Sequence, residues 1–207
     1  MYNKIDCVIR GITPTIMHNG KLASPLHPIT REMKKLTSKR NKSEQDHELL
    51  ALLEWVGGLY TTEPIEVEVD AAAGKLTVSC AGEICWPGEN LEAMLVAAAK
   101  KNKLGQQFKA GVMVDGNWVL TYDGPRDIAK MLGDPRFIDS RPVVVQKQRI
   151  IRTRPIFHDW ELAFTIQYLP SVVNKSQVIE ALDVASKLIG LSDFRPKFGR
   201  FEIVSAD

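Results

Sequence analysis

Ile5, Cys7 and Ile9 fall on alternate positions near the start of the chain, and Gly11 and Pro14 punctuate the residues just after them. Such alternation predicts a short strand with one face in a core. Residues 14–42 hold no sustained period and are rich in Pro, Gly, Asn, Ser and Lys, which predicts an extended loop or insertion. Ser43 is placed to cap a helix with Gln45 and Asp46 in its first turn. Leu49, Leu50, Leu52, Leu53 and Val56 form its apolar face, and Gly57 with Gly58 stops it. Ile65, Val67 and Val69 then alternate with Glu66, Glu68 and Asp70, and residues 75–80 repeat the alternation. With AAAGK between them, the two runs predict a hairpin whose wet face is acidic.

The second half is more regular. Trp86, Pro87 and Gly88 introduce a helix with Glu89 near its start, a buried stripe of Leu91, Met94, Leu95 and Ala98, and Lys100, Lys101 and Lys103 at its end. Residues 108–121 predict a second hairpin turned by Asp115, Gly116 and Asn117, and 125–132 a short helix. Residues 142–151 and 160–168 are β-rich. Val178, Leu182, Ala185 and Ile189 share a helix face, and Phe201 and Ile203 alternate in a last strand.

Taken by their larger elements, strands at Ile5, Val143, Leu162 and Phe201 and helices at Leu91 and Val178 follow the β-α-β-β-α-β order of a ferredoxin-like, or RRM-like, domain. The expected fold class is therefore α+β: one domain over 1–207, with β-rich insertions at 14–85 and 102–139. A chain of 207 residues is long enough for one such core.

Composition narrows the functional classes. No run approaches the roughly 20 apolar residues that cross a bilayer, and the N-terminus enters a strand pattern at once, so neither a membrane span nor a secretory signal is expected. Three cysteines without a close pair suit neither a disulfide framework nor a zinc site, and fit a reducing cytoplasm. His18, His27, His47 and His158 are scattered, and Walker, GxGxxG and HExxH patterns are absent. Cys7 reads as an inert buried thiol. No catalytic residue, metal or cofactor is expected, and the chain reads as a non-enzyme.

Charge changes the picture, because a formal net charge of +2 conceals clusters. Residues 141–154 carry Arg141, Lys147, Arg149, Arg152 and Arg154 and no acid. Arg31, Lys34, Lys35, Lys39, Arg40 and Lys42 crowd the first insertion, which lacks the apolar content for a core of its own. Arg195, Lys197 and Arg200 alternate with Phe194 and Phe198 around Pro196 and Gly199. Separate basic elements in a nearly neutral chain point to one face that meets a polyanion. Lys34, Lys35, Lys39, Arg40, Lys147, Arg149, Arg152, Arg154, Arg195, Lys197 and Arg200 are the candidate phosphate contacts, and Phe194 and Phe198 the candidate stacking residues. The competing readings are a charged strand edge that resists aggregation and two phenylalanines that close a core.

GITPTIMHNG, ICWPGENLEAMLVAAAK and IGLSDFRPKFGRFEI resemble a family of small phage and prophage proteins. These in turn resemble the RAMP superfamily of CRISPR proteins, above all the subunits that polymerise along guide RNA. Thr13 and Pro14 correspond to that superfamily's loop after the first strand, and Pro87, Gly88, Glu89, Asn90 and Leu91 to its helix entry. The resemblance implies sequence-independent binding of single-stranded RNA or DNA by repeated protomers, a homo-oligomer or filament, in a bacterial host cell. Some subunits of this type cleave RNA through a loop aspartate, for which Asp46, Asp115 and Asp159 all stand open. The glycine-rich C-terminal loop of the superfamily is reduced here to Gly190 and Gly199. The alternative is a noncatalytic structural protein that self-assembles or engages a host protein.

Overall fold

A computed structural model describes residues 1–145 and 147–207. Along the chain come β1 (Asn3–Gly11), β2 (Thr15–Ile16), α1 (Pro28–Thr37), α2 (Glu44–Gly58), β3 (Glu66–Asp70) and β4 (Lys75–Ser79). Next are β5 (Cys85–Pro87), α3 (Gly88–Ala99), α4 (Gly105–Gly111), β6 (Val112–Met113), β7 (Asn117–Tyr122) and α5 (Ile128–Leu132). The last third holds β8 (Ile138–Val145), β9 (Gln148–Phe157), β10 (Trp160–Tyr168), α6 (Lys175–Val184) and β11 (Phe201–Ala206). The fold is mixed α+β, with several sheets and helices. No helix among the described residues is long and apolar enough to cross a membrane.

The residues gather into two compact units, one of 1–16, 84–123 and 157–207, the other of 17–83 and 124–156. The first is built on a sheet in the order β11-β1-β10-β7-β5, with β6 also on β10. Neighbours are antiparallel, so β1 runs parallel to β7 with β10 between them, and β10 parallel to β11 with β1 between them. Alternation sets the register: Ile5 lies opposite Ile166, Cys7 opposite Phe164 and Ile9 opposite Leu162, all buried. α3 packs beside α6, and each buries its apolar stripe, Leu91, Met94, Leu95 and Ala98 on one and Val178, Ala181 and Leu182 on the other. α6 starts on a reciprocal cap between Asn174 and Gln177.

The second unit joins α1 and α2 to the hairpins β3–β4 and β8–β9. Ser43 and Asp46 form a capping box on α2, and the buried Trp55 indole donates to the Phe137 carbonyl at 2.7 Å. The β3–β4 hairpin keeps Glu66, Glu68 and Asp70 in solvent, as its alternation predicted.

Three expectations need correction. Within residues 14–42, expected as an extended loop, 28–37 are the helix α1: Pro28 occupies its first turn, and Ile29 and Leu36, one heptad apart, are buried. Residues 105–111 are helical rather than the first arm of a hairpin, with Phe108 as the buried anchor. The strand beside β10 on the side away from β1 is therefore β7, and residues 142–145 pair with 148–151 in the β8–β9 hairpin of the other unit. Their strong β-propensity reported extended chain but neither the turn between two strands nor their pairing with each other. Segment 102–139 divides at Asp123 between the two units.

Gly88 explains the proline–glycine entry to α3. Its N–H donates to the Gly116 carbonyl at 2.8 Å, and a Cβ there would stand 1.6 Å from the Val114 oxygen. A backbone atom cannot swing aside as a side chain can. Gly88→Ala should lower stability by about 2–3 kcal/mol, read as a fall in the urea midpoint at unchanged slope.

Candidate nucleic-acid interface

The expected basic residues divide into two kinds, according to whether a carboxylate already holds them. On α1, Lys35 pairs with Glu32 at 2.6 Å, one turn away. Lys39 reaches the Asp46 carboxylate at 2.5 Å, inside the capping box of α2. The Lys39 ammonium and the Ser43 N–H hold Asp46 below the usual carboxylate range. Lys34 and Arg40 are exposed, or nearly so, and no ion pair holds them among the described residues.

On the β8–β9 hairpin the same division recurs. Lys147 sits in the turn with φ 66°, and Arg149 is exposed on β9. Arg152 instead donates to Glu54 of α2 at 2.5 Å, and the other Glu54 oxygen accepts the Thr153 N–H at 3.0 Å. Arg154 is only 8 % exposed. Arg141, one of the same cluster, forks onto Asp139, with Nε 2.7 Å from Oδ2. Of the expected phosphate contacts, Arg152 is thus engaged by Glu54 and Arg154 is buried within its unit.

The C-terminal candidates lie in the other unit, on a loop held at both ends. Gly190 takes φ 81° and Gly199 φ 76°, conformations that L side chains disfavour. Leu191 N–H donates to the Gly199 carbonyl and Gly199 N–H to that of Pro14, both at 2.8 Å. Thr15 Oγ1 donates to the Leu191 carbonyl at 2.5 Å, Asp193 N–H to that of Ile16 at 2.8 Å, and Arg200 N–H to Thr13 Oγ1 at 2.9 Å. The Thr13–Pro14 segment and the C-terminal loop, far apart in sequence, are therefore one hydrogen-bonded body.

This body presents Phe194, which is 44 % exposed and tilted against the half-buried Phe198 with centroids 6.0 Å apart. Lys197 Nζ lies 5.9 Å from the Phe198 ring centroid, and Arg200 Nε donates to the Pro196 carbonyl at 3.0 Å. Arg195 is exposed and lines an open trough of about 460 Å³ along α3. Ala93, Val96 and Ala97 form the floor, spaced to share one helix face. Lys100 and Lys109 stand with Arg195 around it, and Glu89 and Glu92 also line it. Glu92 is engaged, accepting the Val114 N–H at 2.7 Å. Among the described residues, Lys100, Lys109, Arg195 and Glu89 form no ion pair.

Lys100 and Lys109 escaped the sequence reading as contacts. The sequence put Lys100 at a helix end, where its charge suits the α3 macrodipole, but gave no sign of what would face it. Lys109 was placed on a strand, so its approach to α3 through α4 was hidden.

The sheet offers no second stacking surface on its central strands. On the faces away from the buried residues, β1 carries Lys4, Asp6, Val8 and Arg10, and β10 carries Glu161, Ala163, Thr165 and Gln167, with no aromatic ring. Arg10 is held by Glu161 at 3.0 Å and Glu202 at 3.6 Å, and Thr165 donates to Asp6 at 2.6 Å. Among the described residues no group of three or more His, Cys, Asp or Glu could hold a metal ion. Burial, with Asp6 and Asp207 nearby, pushes the Cys7 thiol up to about 12, which leaves it protonated at neutral pH.

The paired cations are open to two measurements. Arg152→Ala should cost about 2 kcal/mol in urea unfolding, because Glu54 is left buried without its cation, whereas Arg149→Ala should leave the midpoint unchanged. The lowered pKa of Asp46 means its stabilisation is complete above the usual carboxylate range, about 4, and is lost as pH falls through the folded-state value. Asp46→Asn should therefore be less stable than the wild type at neutral pH, with the gap closing on acidification.

No protein-family model matches this chain, and no curated protein matches it.

Proposed function

We propose that this protein binds single-stranded nucleic acid without catalysis and largely independently of sequence, as one of several protomers on a strand. The observation that carries the reading is the convergence of Lys100, Lys109 and Arg195, from three elements, on one trough, with exposed Phe194 next to Arg195 in the chain. Duplex is less suited to binding through an open trough and an exposed aromatic ring than a strand whose bases can splay. Phosphates would run along the three cations while a base stacks on Phe194. Lys147, Arg149, Lys34 and Arg40 add positive field in the other unit; the acidic face of β3–β4 is excluded from phosphate contact.

The interleaved strand order of the first unit supports a ferredoxin-like reading of its core, in which two β-α-β units each enclose a strand of the other. That reading agrees with the proposed likeness to RAMP subunits and to small phage proteins. The RRM manner of binding, with rings on the sheet face, is not part of the proposal, because the central strands lack those rings.

Fluorescence anisotropy with labelled single-stranded DNA, single-stranded RNA and duplex DNA tests the proposal. Single strands should bind more tightly than duplex, with log Kd rising linearly with log salt. Replacing Lys100, Lys109 and Arg195 together by alanine should reduce that slope by about 2, at roughly 0.7 counterion per phosphate. Phe194→Ala should weaken binding by about 1 kcal/mol with the slope intact. An unchanged slope in the triple variant, or no binding by the wild type at low salt, overturns the proposal.

A further inference from the structure

The trough that carries the proposed function is not uniformly basic, and its polarity has a consequence for which base it accepts. Glu89 and Lys100 lie on the same face of α3, eleven residues apart, or about 16 Å along the axis at 1.5 Å per residue. That length exceeds one nucleotide, so a strand crossing the floor meets the Lys100 ammonium at one end and the Glu89 carboxylate at the other. Glu89 is exposed, and no hydrogen bond or ion pair occupies it among the described residues. Glu92, in contrast, is fixed to the Val114 N–H and keeps a second negative charge at the same end.

A phosphate cannot settle beside these two carboxylates, since like charges repel and an ionised carboxylate only accepts hydrogen bonds. What can settle there is the edge of a base that offers N–H groups. Cytosine presents its N4 amino group, and a Glu carboxylate accepting from cytosine N4 is an established pairing in base recognition. Thymine and uracil present a single N3–H between two carbonyl oxygens, and those oxygens face the carboxylate with their lone pairs. The floor of Ala93, Val96 and Ala97 is small and apolar, so it permits the flat face of the ring to lie close to the helix.

We infer that Glu89 makes the trough discriminate among bases, favouring one with an exocyclic amino group over thymine or uracil at the position that reaches the α3 N-terminal end. The inference rests on the nucleic-acid reading of the same trough. The backbone contacts at Lys100, Lys109 and Arg195 are blind to sequence, so the discrimination is a bias superimposed on general affinity rather than a code.

The test compares labelled oligo(dC) and oligo(dT), two pyrimidine strands of equal length, by anisotropy at low salt. Wild type should bind oligo(dC) roughly three- to tenfold more tightly, the range of one solvent-accessible hydrogen bond. In Glu89→Gln, which keeps the side-chain length and loses the charge, the ratio should fall to within about twofold, mainly because oligo(dT) binds better. Circular dichroism checks that α3 is retained, and Glu89→Ala supplies a second variant in which the ratio should also collapse. Equal binding of both strands by the wild type, or a ratio unchanged in both variants, overturns the inference while leaving the proposed function standing. Absence of binding to either strand overturns both.

Discussion

The hydrogen bonds that tie residues 13–16 to the loop at 190–200 are the constraint on which the first unit depends. Thr15 is fully buried, and its hydroxyl and the neighbouring backbone groups have no water to turn to. The loop supplies their partners: the Leu191 carbonyl for Thr15 Oγ1, the Ser192 hydroxyl for the Ile16 N–H and the Asp193 N–H for the Ile16 carbonyl. This arrangement requires the chain to reverse twice in a few residues. Gly190 and Gly199 make the reversals in backbone conformations that a side chain would strain, and a Cβ on Gly199 would come 2.2 Å from the Leu191 oxygen. The same bonds deliver Phe201 into β11 beside β1 and hold Arg195 at the trough. Sheet closure and presentation of the candidate contacts are one event.

Charge acts twice in this protein, and the two uses must be kept apart. A guanidinium that shares a short contact with a buried carboxylate has its field cancelled locally, and a phosphate would have to displace that carboxylate to reach it. Glu54 binds both the Arg152 side chain and the Thr153 backbone, so the pair orients β9 on α2 and is not an available cation. Lys39 is likewise drawn into the N-terminus of α2 by Asp46. Lys100, Lys109 and Arg195 share their trough with Glu89 and Glu92 but form no ion pair among the described residues, so a phosphate would have no bound carboxylate to displace.

Local signals in the sequence were legible where one segment settles its own structure. Ser43 and Asp46 announce the start of α2, Pro87 and Gly88 that of α3, and the alternation at 65–80 with its small-residue turn specifies a hairpin. Pairing over distance was not legible. Residues 142–151 read as one β-rich run, whereas 142–145 end β8 and 148–151 begin β9, and the strength of the β-pattern cannot say that β8 and β9 take each other while β7 takes β10. α1 was hidden because only Ile29 and Leu36 are buried on it among lysines, too few anchors to establish a period. The candidate site was half visible: the loop with Phe194 and Arg195 stood out, whereas Lys109 depended on α4, and the loss of Arg152 to Glu54 joins residues 98 positions apart.

Three unpaired cations are too few to hold a strand tightly by themselves. At roughly 0.7 counterion per phosphate, three contacts give a slope near 2 in log affinity against log salt, so most of their contribution disappears between dilute buffer and physiological ionic strength. In the proposed reading a base stacked on Phe194 would add to this, but the ring already leans on Phe198 and has only part of its surface to offer. A binder of this kind becomes effective when several copies engage one strand, since each bound protomer raises the effective concentration of the next attachment without any new contact. The weakness of the trough and the reading of the protein as a repeated protomer are therefore linked. A monomer that bound one short strand tightly at physiological salt would need contacts beyond the three cations of the trough.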